Sequence, residues 1–285
     1  MNKDPNITFQ KLKSNPQLTM WWIYSRLTAK KRTTPDFIIA GTPRGGTTSL
    51  FQYLSLHPNI FPPLRKEVKY FDSFYFLGKI WYQAHFPYKR KIRENKGITG
   101  EATPNYLMHP VAMKRIASEI PDIKIILLLR NPIDRAYSHY KLTVKSGEEP
   151  LSFEEALAAE PDRLRGESEK IAKDLYYSQG NWIKYSYLSR GHYIEQVPQV
   201  FELFNKSQIL ILRSEDFYSN TNEIYQQVLQ FLGVKTWRPE KFQIFKPSTT
   251  KSRMSKETRK MLVDHFEPYN HRLYEYLNRD FEWDS

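Results

Sequence analysis

Three continuous apolar runs stand out along the chain and predict the strands of a buried sheet. They read FIIA at residues 37–40, IKIILLL at 123–129 and QILIL at 208–212, and a weaker run lies around Ile98. Strands exposed on one face alternate apolar and polar residues, and these runs do not. Continuous apolar strands are typical of parallel sheets that are covered on both faces. We therefore expect a parallel sheet in the centre of the fold.

The segments between these runs have the apolar spacing of helices. Helices are predicted at 47–56, 110–120, 132–145, 152–160, 180–204, 214–232 and 256–277. Strands that alternate with helices imply right-handed crossovers and an α/β fold. We predict a P-loop-like central parallel sheet flanked by helices, in one domain over residues 35–285. Residues 1–34 are expected to form a basic N-terminal appendage.

The turn after the first apolar run, GTPRGGTTSL at residues 41–50, indicates an anion site. A helix that follows such a turn offers unpaired N–H groups and the positive end of its dipole. Gly45 and Gly46 let the backbone approach an oxyanion closely. Arg44 adds a permanent positive charge. Hydroxyl donors follow at Thr47, Thr48 and Ser49.

The same turn nearly matches the G-x-x-x-x-G-K-[ST] pattern of ATP-hydrolysing enzymes. Gly41 and Gly46 stand at the glycine positions, but Thr47 replaces the lysine. No convincing magnesium aspartate follows a strand. A kinase-like ATP enzyme is therefore the weaker alternative, and a plain tight turn is weaker still.

The end of the strongest strand carries a second group of anion-binding residues. In RNPIDRAYSHY, Arg130 follows the apolar run directly and Ser138 lies eight residues later. Ligands of parallel sheets gather beyond the carboxyl ends of the strands, so these residues could bind a second phosphate. The alternative is that Arg130 only pairs with Asp134.

Together the two motifs resemble those of sulfotransferases that use 3′-phosphoadenosine 5′-phosphosulfate (PAPS). GTPRGGTTSL is similar to their 5′-phosphosulfate loop and RNPIDRAYSHY to their 3′-phosphate motif. HPNIFPPLRKEVKYFD, at 57–72, resembles the segment after the loop in heparan sulfate sulfotransferases. STTKSRMS, at 248–255, resembles their late basic loop, and the ending NRDFEWDS is also similar. The resemblance runs from about residue 35 to 283 and implies the sulfotransferase fold.

The resemblance implies transfer of a sulfuryl group from PAPS, with release of adenosine 3′,5′-bisphosphate and no metal. Arg44 would contact the transferring group, at a position where heparan sulfate enzymes usually carry lysine. Arg130 and Ser138 would hold the 3′-phosphate. The other donor-binding residues would be Gly45, Gly46, Thr47, Thr48, Ser49, Lys251, Ser252 and Arg253.

The resemblance also assigns residues to the acceptor, a hydroxyl or amine that we expect on a carbohydrate. Glu67 would be the general base that takes the acceptor proton. Its alternative is a surface glutamate in a charged loop. Apart from the resemblance, the charge of Lys69 would attract an anionic acceptor, and His85 could line the acceptor cleft. The motif that Glu101 opens often lies near the acceptor in the family, so Glu101 would contact the acceptor. Relatives often follow that glutamate with lysine, where this chain has Ala102.

Composition adds a strong positive charge. The chain has 285 residues, a formal net charge of +12 and no cysteine, which excludes disulfides and thiolate metal sites. A basic surface favours anionic partners, so a non-catalytic polyanion binder is a third alternative. Nucleic acid is not expected, because basic and aromatic residues do not form a recognisable module.

Aromatic and basic residues adjoin in segment 18–32, which holds Trp21 and Trp22 before Lys30 and Lys31. This mixture predicts either packing on the domain or a weak contact with a membrane surface. No run approaches the roughly 20 apolar residues of a spanning helix. We expect a cytoplasmic protein, peripheral to a membrane at most.

Overall fold

A computed structural model describes residue 10 and residues 15–177, 179–242 and 254–283. It confirms the predicted α/β fold, with a four-stranded parallel sheet at its centre. The strand order is β2-β1-β3-β4. The strands are β1 Phe37–Gly41, β2 Gly100–Ala102, β3 Lys124–Leu129 and β4 Ile209–Arg213.

Thirteen α-helices with defined bounds flank the sheet within the described ranges. They are α1 Pro16–Thr28, α2 Thr47–Leu56, α3 Lys79–Gln83, α4 Lys89–Glu94, α5 Ala112–Glu119, α6 Pro132–Lys145, α7 Phe153–Leu164, α8 Glu167–Lys173, α9 Gly180–Tyr185, α10 Val197–Leu203, α11 Ser214–Ser219, α12 Thr221–Leu232 and α13 Lys256–Leu277. Short 3₁₀ turns join several of them.

Both faces of the sheet are buried, as the continuous apolar strands predict. Ile38 and Leu127 point into the larger core, together with residues of α5 and α10. Ile39 and Leu128 point to the opposite face, where α2 and α12 cover them. The carboxyl ends of β2, β1 and β3 therefore lie side by side at one edge of a rigid layer.

Three sequence expectations differ from the structure. The helix predicted over 214–232 is divided at Asn220 into α11 and α12. The predicted helix over 180–204 is broken: only α9 and α10 are α-helical, with 3₁₀ turns at Ser189–Gly191 and Tyr193–Glu195 between them. Pro198 lies in the first turn of α10 and disfavours helix before it. The strand expected around Ile98 begins at Gly100, and Ile98 forms only an isolated bridge with Ile60.

Helix α1 belongs to the predicted appendage, and it packs on the domain. Trp21 stacks on His85 with ring centroids 5.0 Å apart. The Arg32 guanidinium donates to the carbonyl of Phe86 at 2.6 Å. The outward side of α1 exposes Met20, Ile23 and Leu27. Across the described ranges, no helix is long and apolar enough to cross a membrane.

Candidate active site

The loop between β1 and α2 is held closely against the sheet. The N–H of Thr42 donates to the carbonyl of Leu128 at 2.9 Å, and the Ser214 hydroxyl donates to the carbonyl of Gly45 at 2.8 Å. A Cβ on Gly45 would lie 2.6 Å from the Leu128 oxygen, so only glycine fits there. Gly46 has φ +96°, a conformation that favours glycine. The loop is a preformed turn that ends on a helix N-terminus.

The first turn of α2 has backbone N–H groups that are available to bind an anion. Gly46 is its N-cap, and no side chain of the described residues caps the helix there. Thr47 and Ser49 are buried, whereas Thr48 is half-buried. The unpaired N–H groups and the helix dipole at this end favour a negative charge.

Arg44 joins the loop to the second predicted motif. Its Nε donates to the Ser138 hydroxyl at 2.9 Å, and Arg130 Nη1 donates to the Arg44 carbonyl at 3.0 Å. Three residues that the sequence assigned to one ligand are therefore in direct contact. Asp134, the alternative partner of Arg130, instead pairs with Arg259 at 2.8 Å.

This cluster concentrates positive charge. Burial, and after it the charge of Arg130, lowers the pKa of Arg44. Within the described part of the chain, neither arginine forms an ion pair with a carboxylate. The Arg130 carbonyl is fixed by the hydroxyl of Tyr193 at 2.8 Å. Two adjacent guanidinium groups without a carboxylate partner have the chemistry of a site for a doubly charged anion.

Glu67 lies in an irregular segment at the same edge of the sheet. Its side chain is about one-third exposed, at 34%, and its carboxylate is 2.9 Å from Lys66 Nζ and 3.7 Å from Lys69 Nζ. Glu67 and Lys69 have φ +58° and +57°. Residues other than glycine seldom adopt this left-handed conformation, so the surrounding structure must hold it in place.

The segments that follow β2 and precede α3 connect Glu67 to the loop. The Leu107 N–H donates to the Ala40 carbonyl at 2.9 Å, which places residues 103–107 beside the end of β1. The Lys69 N–H reaches the Thr103 hydroxyl at 3.4 Å. The segment that carries Glu67 thus lies beside the end of β2, while the loop and Arg130 follow the ends of the neighbouring strands β1 and β3.

Two predicted acceptor residues are buried, and the expectation of direct acceptor contact is corrected for both. Glu101 has no exposed surface, and Tyr82, Thr103 and Tyr106 donate hydrogen bonds to its carboxylate. His85 is 1% exposed and lies against Trp21 and Trp81. Burial lowers the pKa of His85 to about 4, so it is neutral at physiological pH. Lys69 alone of the three is half-exposed.

The sequence did not single out several buried polar residues around the site. Ser214 and Tyr193 fix the loop and Arg130, as described above. Asp72 is almost fully buried, accepts from the N–H of Ser73 at 2.6 Å, and has a pKa raised by burial to about 6. Arg190 donates to Asn105 Oδ1 at 2.9 Å. Ser214 directly follows β4, so the strand-end rule that found Arg130 could have found it.

Three predicted donor-binding residues, Lys251, Ser252 and Arg253, lie in a part of the chain that the structure does not describe. Among the residues that are described, no group of three or more histidine, aspartate or glutamate side chains could hold a metal ion.

Comparison with known proteins relates this geometry to a family. A family model described as the sulfotransferase domain matches residues 34–270. Heparan sulfate glucosamine 3-O-sulfotransferase 3B1 of Mus musculus is 28% identical over 90% of this chain and 66% of its own length. Membrane-associated sulfotransferase kil1 of Dictyostelium discoideum is 28% identical over 88% of this chain and 67% of its own. The chain thus spans about two thirds of these relatives.

A solved structure agrees with the match in sequence. The crystal structure of a sulfotransferase from Alicyclobacillus acidocaldarius superposes with a TM-score of 0.72 and 29% identity, over 89% of this chain and 100% of that one. The shared fold extends over the whole length of that chain. Because the family model covers most of the chain and this fold agrees with it, the protein belongs to the sulfotransferase domain family.

Proposed function

We propose that the protein transfers a sulfuryl group from PAPS to a hydroxyl or amine of a carbohydrate. The observation that carries this proposal is the contact of Arg44, Ser138 and Arg130 at the ends of two neighbouring strands. PAPS carries anionic groups at both its 5′ and 3′ positions, and its bound form would supply the activated sulfuryl group. The loop, the helix end and two guanidinium groups fit a ligand with two separate anions.

The residues of this chain divide the work between binding and proton transfer. Arg44 and the first turn of α2 would hold the 5′-phosphosulfate, and Arg130 and Ser138 the 3′-phosphate. As the acceptor attacks sulfur, its bond to sulfur forms while the bond from sulfur to the 5′-phosphate oxygen breaks. Glu67 would receive the acceptor proton, and Arg44 would stabilise the negative charge that develops on the departing phosphate.

The acceptor proposal rests on charge and on the relatives. Lys66 and Lys69 beside Glu67 form a half-exposed basic surface that attracts an anionic chain. The mouse relative named above acts, by its name, on a glucosamine of heparan sulfate. An acidic carbohydrate is the acceptor class that agrees with both observations.

Binding of two related nucleotides tests the donor assignment. In calorimetry, adenosine 3′,5′-bisphosphate should bind without magnesium. Arg130→Ala should weaken it by about 1.5–3 kcal/mol, the range for a hydrogen bond to a charged group. The same change should weaken adenosine 5′-phosphosulfate, which lacks the 3′ group, much less, because that ligand loses only the support that Arg130 gives to the Arg44 carbonyl. Arg90→Ala, on exposed α4, is the matched control. Equal losses for both ligands would contradict the 3′-phosphate assignment, and ATP turnover that needs magnesium would favour the kinase-like alternative.

We also propose that the outward side of α1 contacts an anionic membrane surface. Met20, Ile23 and Leu27 are spaced by three and four residues and are exposed. Arg32 bridges to Tyr88, immediately before the exposed basic residues of α4. The apolar stripe fits the boundary of the acyl chains, and the basic helix beside it fits anionic headgroups. Each basic residue near such a surface contributes about 1 kcal/mol to membrane binding.

Vesicle sedimentation tests this contact. The protein should bind vesicles of phosphatidylserine and phosphatidylcholine, but not phosphatidylcholine alone. Ile23→Ser combined with Leu27→Ser should reduce binding several-fold, whereas Met261→Ser, at an exposed position of α13, should not. If the double variant binds normally, the proposal is wrong. If it instead abolishes a concentration-dependent dimer, a second copy of the chain covers this face. The location in the cell stays a prediction.

A further inference from the structure

A buried carboxylate lies beneath the segment that carries Glu67. Glu101 Oε1 accepts from Tyr82 at 2.8 Å and from Tyr106 at 3.2 Å, and its Oε2 accepts from Thr103 at 2.7 Å. The side chain has no exposed surface. It therefore cannot meet an acceptor directly, and any influence on the site passes through the hydroxyl groups that it contacts.

Two of these hydroxyls continue to the backbone just after Glu67. The Tyr106 oxygen accepts from the N–H of Tyr70 at 3.0 Å and from that of Phe71 at 3.4 Å. The Thr103 oxygen accepts from the N–H of Lys69 at 3.4 Å. Among the described residues, the Tyr82 hydroxyl bonds to Glu101 and makes no such continuation.

The direction of these hydrogen bonds depends on the carboxylate. A hydroxyl has one hydrogen to donate, and an ionised carboxylate can only accept. Glu101 therefore draws the hydrogens of Thr103 and Tyr106 toward itself. Their lone pairs then face the backbone N–H groups of residues 69–71, which need acceptors.

We propose that Glu101 is a positioning residue, which holds the Glu67 segment in its left-handed conformation through Tyr106 and Thr103. The proposal rests on the proposed function, because it assigns Glu101 to the placement of the general base. The segment needs such support, since Glu67 and Lys69 both have positive φ. A displacement of about 1 Å in a reacting group can cost about 100-fold in rate.

The protonation state of Glu101 supplies a specific signature. Burial raises the pKa of Glu101 to about 7. The hydrogen bonds from the three hydroxyls act to lower this pKa, and the nearby carboxyl of Asp72 acts to raise it. Tyr82 on α3, Tyr106 after β2 and Asp72 beside the Glu67 segment are the titratable groups that act on it. When Glu101 is protonated, its carboxyl group donates a hydrogen bond to one of these hydroxyls. The direction of that hydrogen bond is then reversed. Positioning is therefore complete only well above pH 7, is half lost near pH 7 and weakens further as the pH falls.

Three variants that remove one polar group each provide the test. Glu101→Gln and Tyr106→Phe should lower kcat for sulfuryl transfer by about 10- to 100-fold, with the Kd for adenosine 3′,5′-bisphosphate within about twofold. Tyr82→Phe removes a hydroxyl that donates to the same oxygen without reaching the backbone, so at a pH well above 7, where Glu101 is ionised, it should retain kcat within about threefold. Glu101→Gln should also remove the fall in kcat below about pH 7.

Hydrogen exchange separates this inference from the proposed function. The amides of residues 69–71 should exchange faster in Glu101→Gln and Tyr106→Phe than in Tyr82→Phe, whether or not an acceptor is known. If the wild-type protein transfers no sulfuryl group but the three variants show this exchange pattern, only the proposed function fails. Equal exchange in all three variants, or a wild-type pH profile in Glu101→Gln, would overturn the positioning role.

Discussion

At the residue scale, Arg44 lies between the two halves of the proposed donor site. Its guanidinium touches Ser138, and its carbonyl accepts from Arg130, 86 positions along the chain. A lysine has no planar fork and could not make both the Ser138 contact and a bidentate contact with an anion. Arg44 therefore holds the two motifs together and also adds positive charge to the site.

Glu67 carries the sharpest prediction at this scale. Glu67→Gln keeps the size of the side chain but cannot take up a proton, so kcat should fall by about 10²–10⁴-fold, the usual contribution of a general base. Binding of adenosine 3′,5′-bisphosphate should be unchanged, because Glu67 belongs to the acceptor side. Glu94→Gln, at an exposed end of α4, is the control. Near-normal transfer by Glu67→Gln would remove the residue from its proposed role.

At the element scale, the loop before α2 keeps its shape because β3 and the start of α11 hold its backbone in place. Ser214 fixes the Gly45 carbonyl, and the Leu128 oxygen leaves no space for a side chain at Gly45. The anion cradle is therefore a property of three elements rather than of the glycine-rich sequence alone.

A pair of glycine variants tests this dependence. Gly45→Ala would place a Cβ 2.6 Å from the backbone oxygen of Leu128, so the loop must shift. Nucleotide affinity should fall by at least about tenfold, because the shifted loop no longer places its N–H groups against the anion. Gly147→Ala meets open space at a φ of +75°, and should lower stability by about 1 kcal/mol without changing affinity. Calorimetry and thermal unfolding measure both effects, and equal nucleotide affinities would contradict the tight fit.

How far the sequence predicts the molecule depends on what each feature requires. Strands β1, β3 and β4 are predictable because each is a continuous apolar run, and Arg130 is predictable because it directly follows one. The break in region 180–204 is predictable only in part. Pro198 signals it, whereas the 3₁₀ turn at Ser189–Gly191 depends on close packing: a Cβ on Gly191 would lie 2.7 Å from Phe266. The burial of His85 is not predictable, because it depends on the distant Trp21.

At the scale of the whole molecule, buried histidines make stability depend on pH. Burial lowers the pKa values of His85, His109 and His192 to about 4, about 3 and about 4. The unfolded chain binds protons on these residues near pH 6.5, so the stability they contribute is lost as the pH falls below that value. Asp72 and Glu101, with pKa values raised to about 6 and about 7, act in the opposite direction.

Burial also lowers the pKa values of His139 and His265 and raises those of Asp36 and Glu160. We expect the histidines to dominate, because five of them oppose four carboxyl groups. The Tm should therefore fall between about pH 6.5 and pH 4.5. His85→Phe keeps an aromatic ring against Trp21 and Trp81 but cannot titrate, so its Tm should fall less steeply over the same range. A variant with the wild-type slope, or a wild-type Tm that rises on acidification, would contradict this assignment.

The stacking of Trp21 on His85 has a practical consequence for anyone who shortens the protein. The family match begins at residue 34, which invites an expression boundary at that point. Such a cut would strip the indole from the imidazole and remove Arg32 from the Phe86 carbonyl, leaving a freshly uncovered aromatic surface next to α3. Recombinant versions meant to stay monodisperse should therefore start no later than about Asn15, whose side chain caps the helix that carries Trp21.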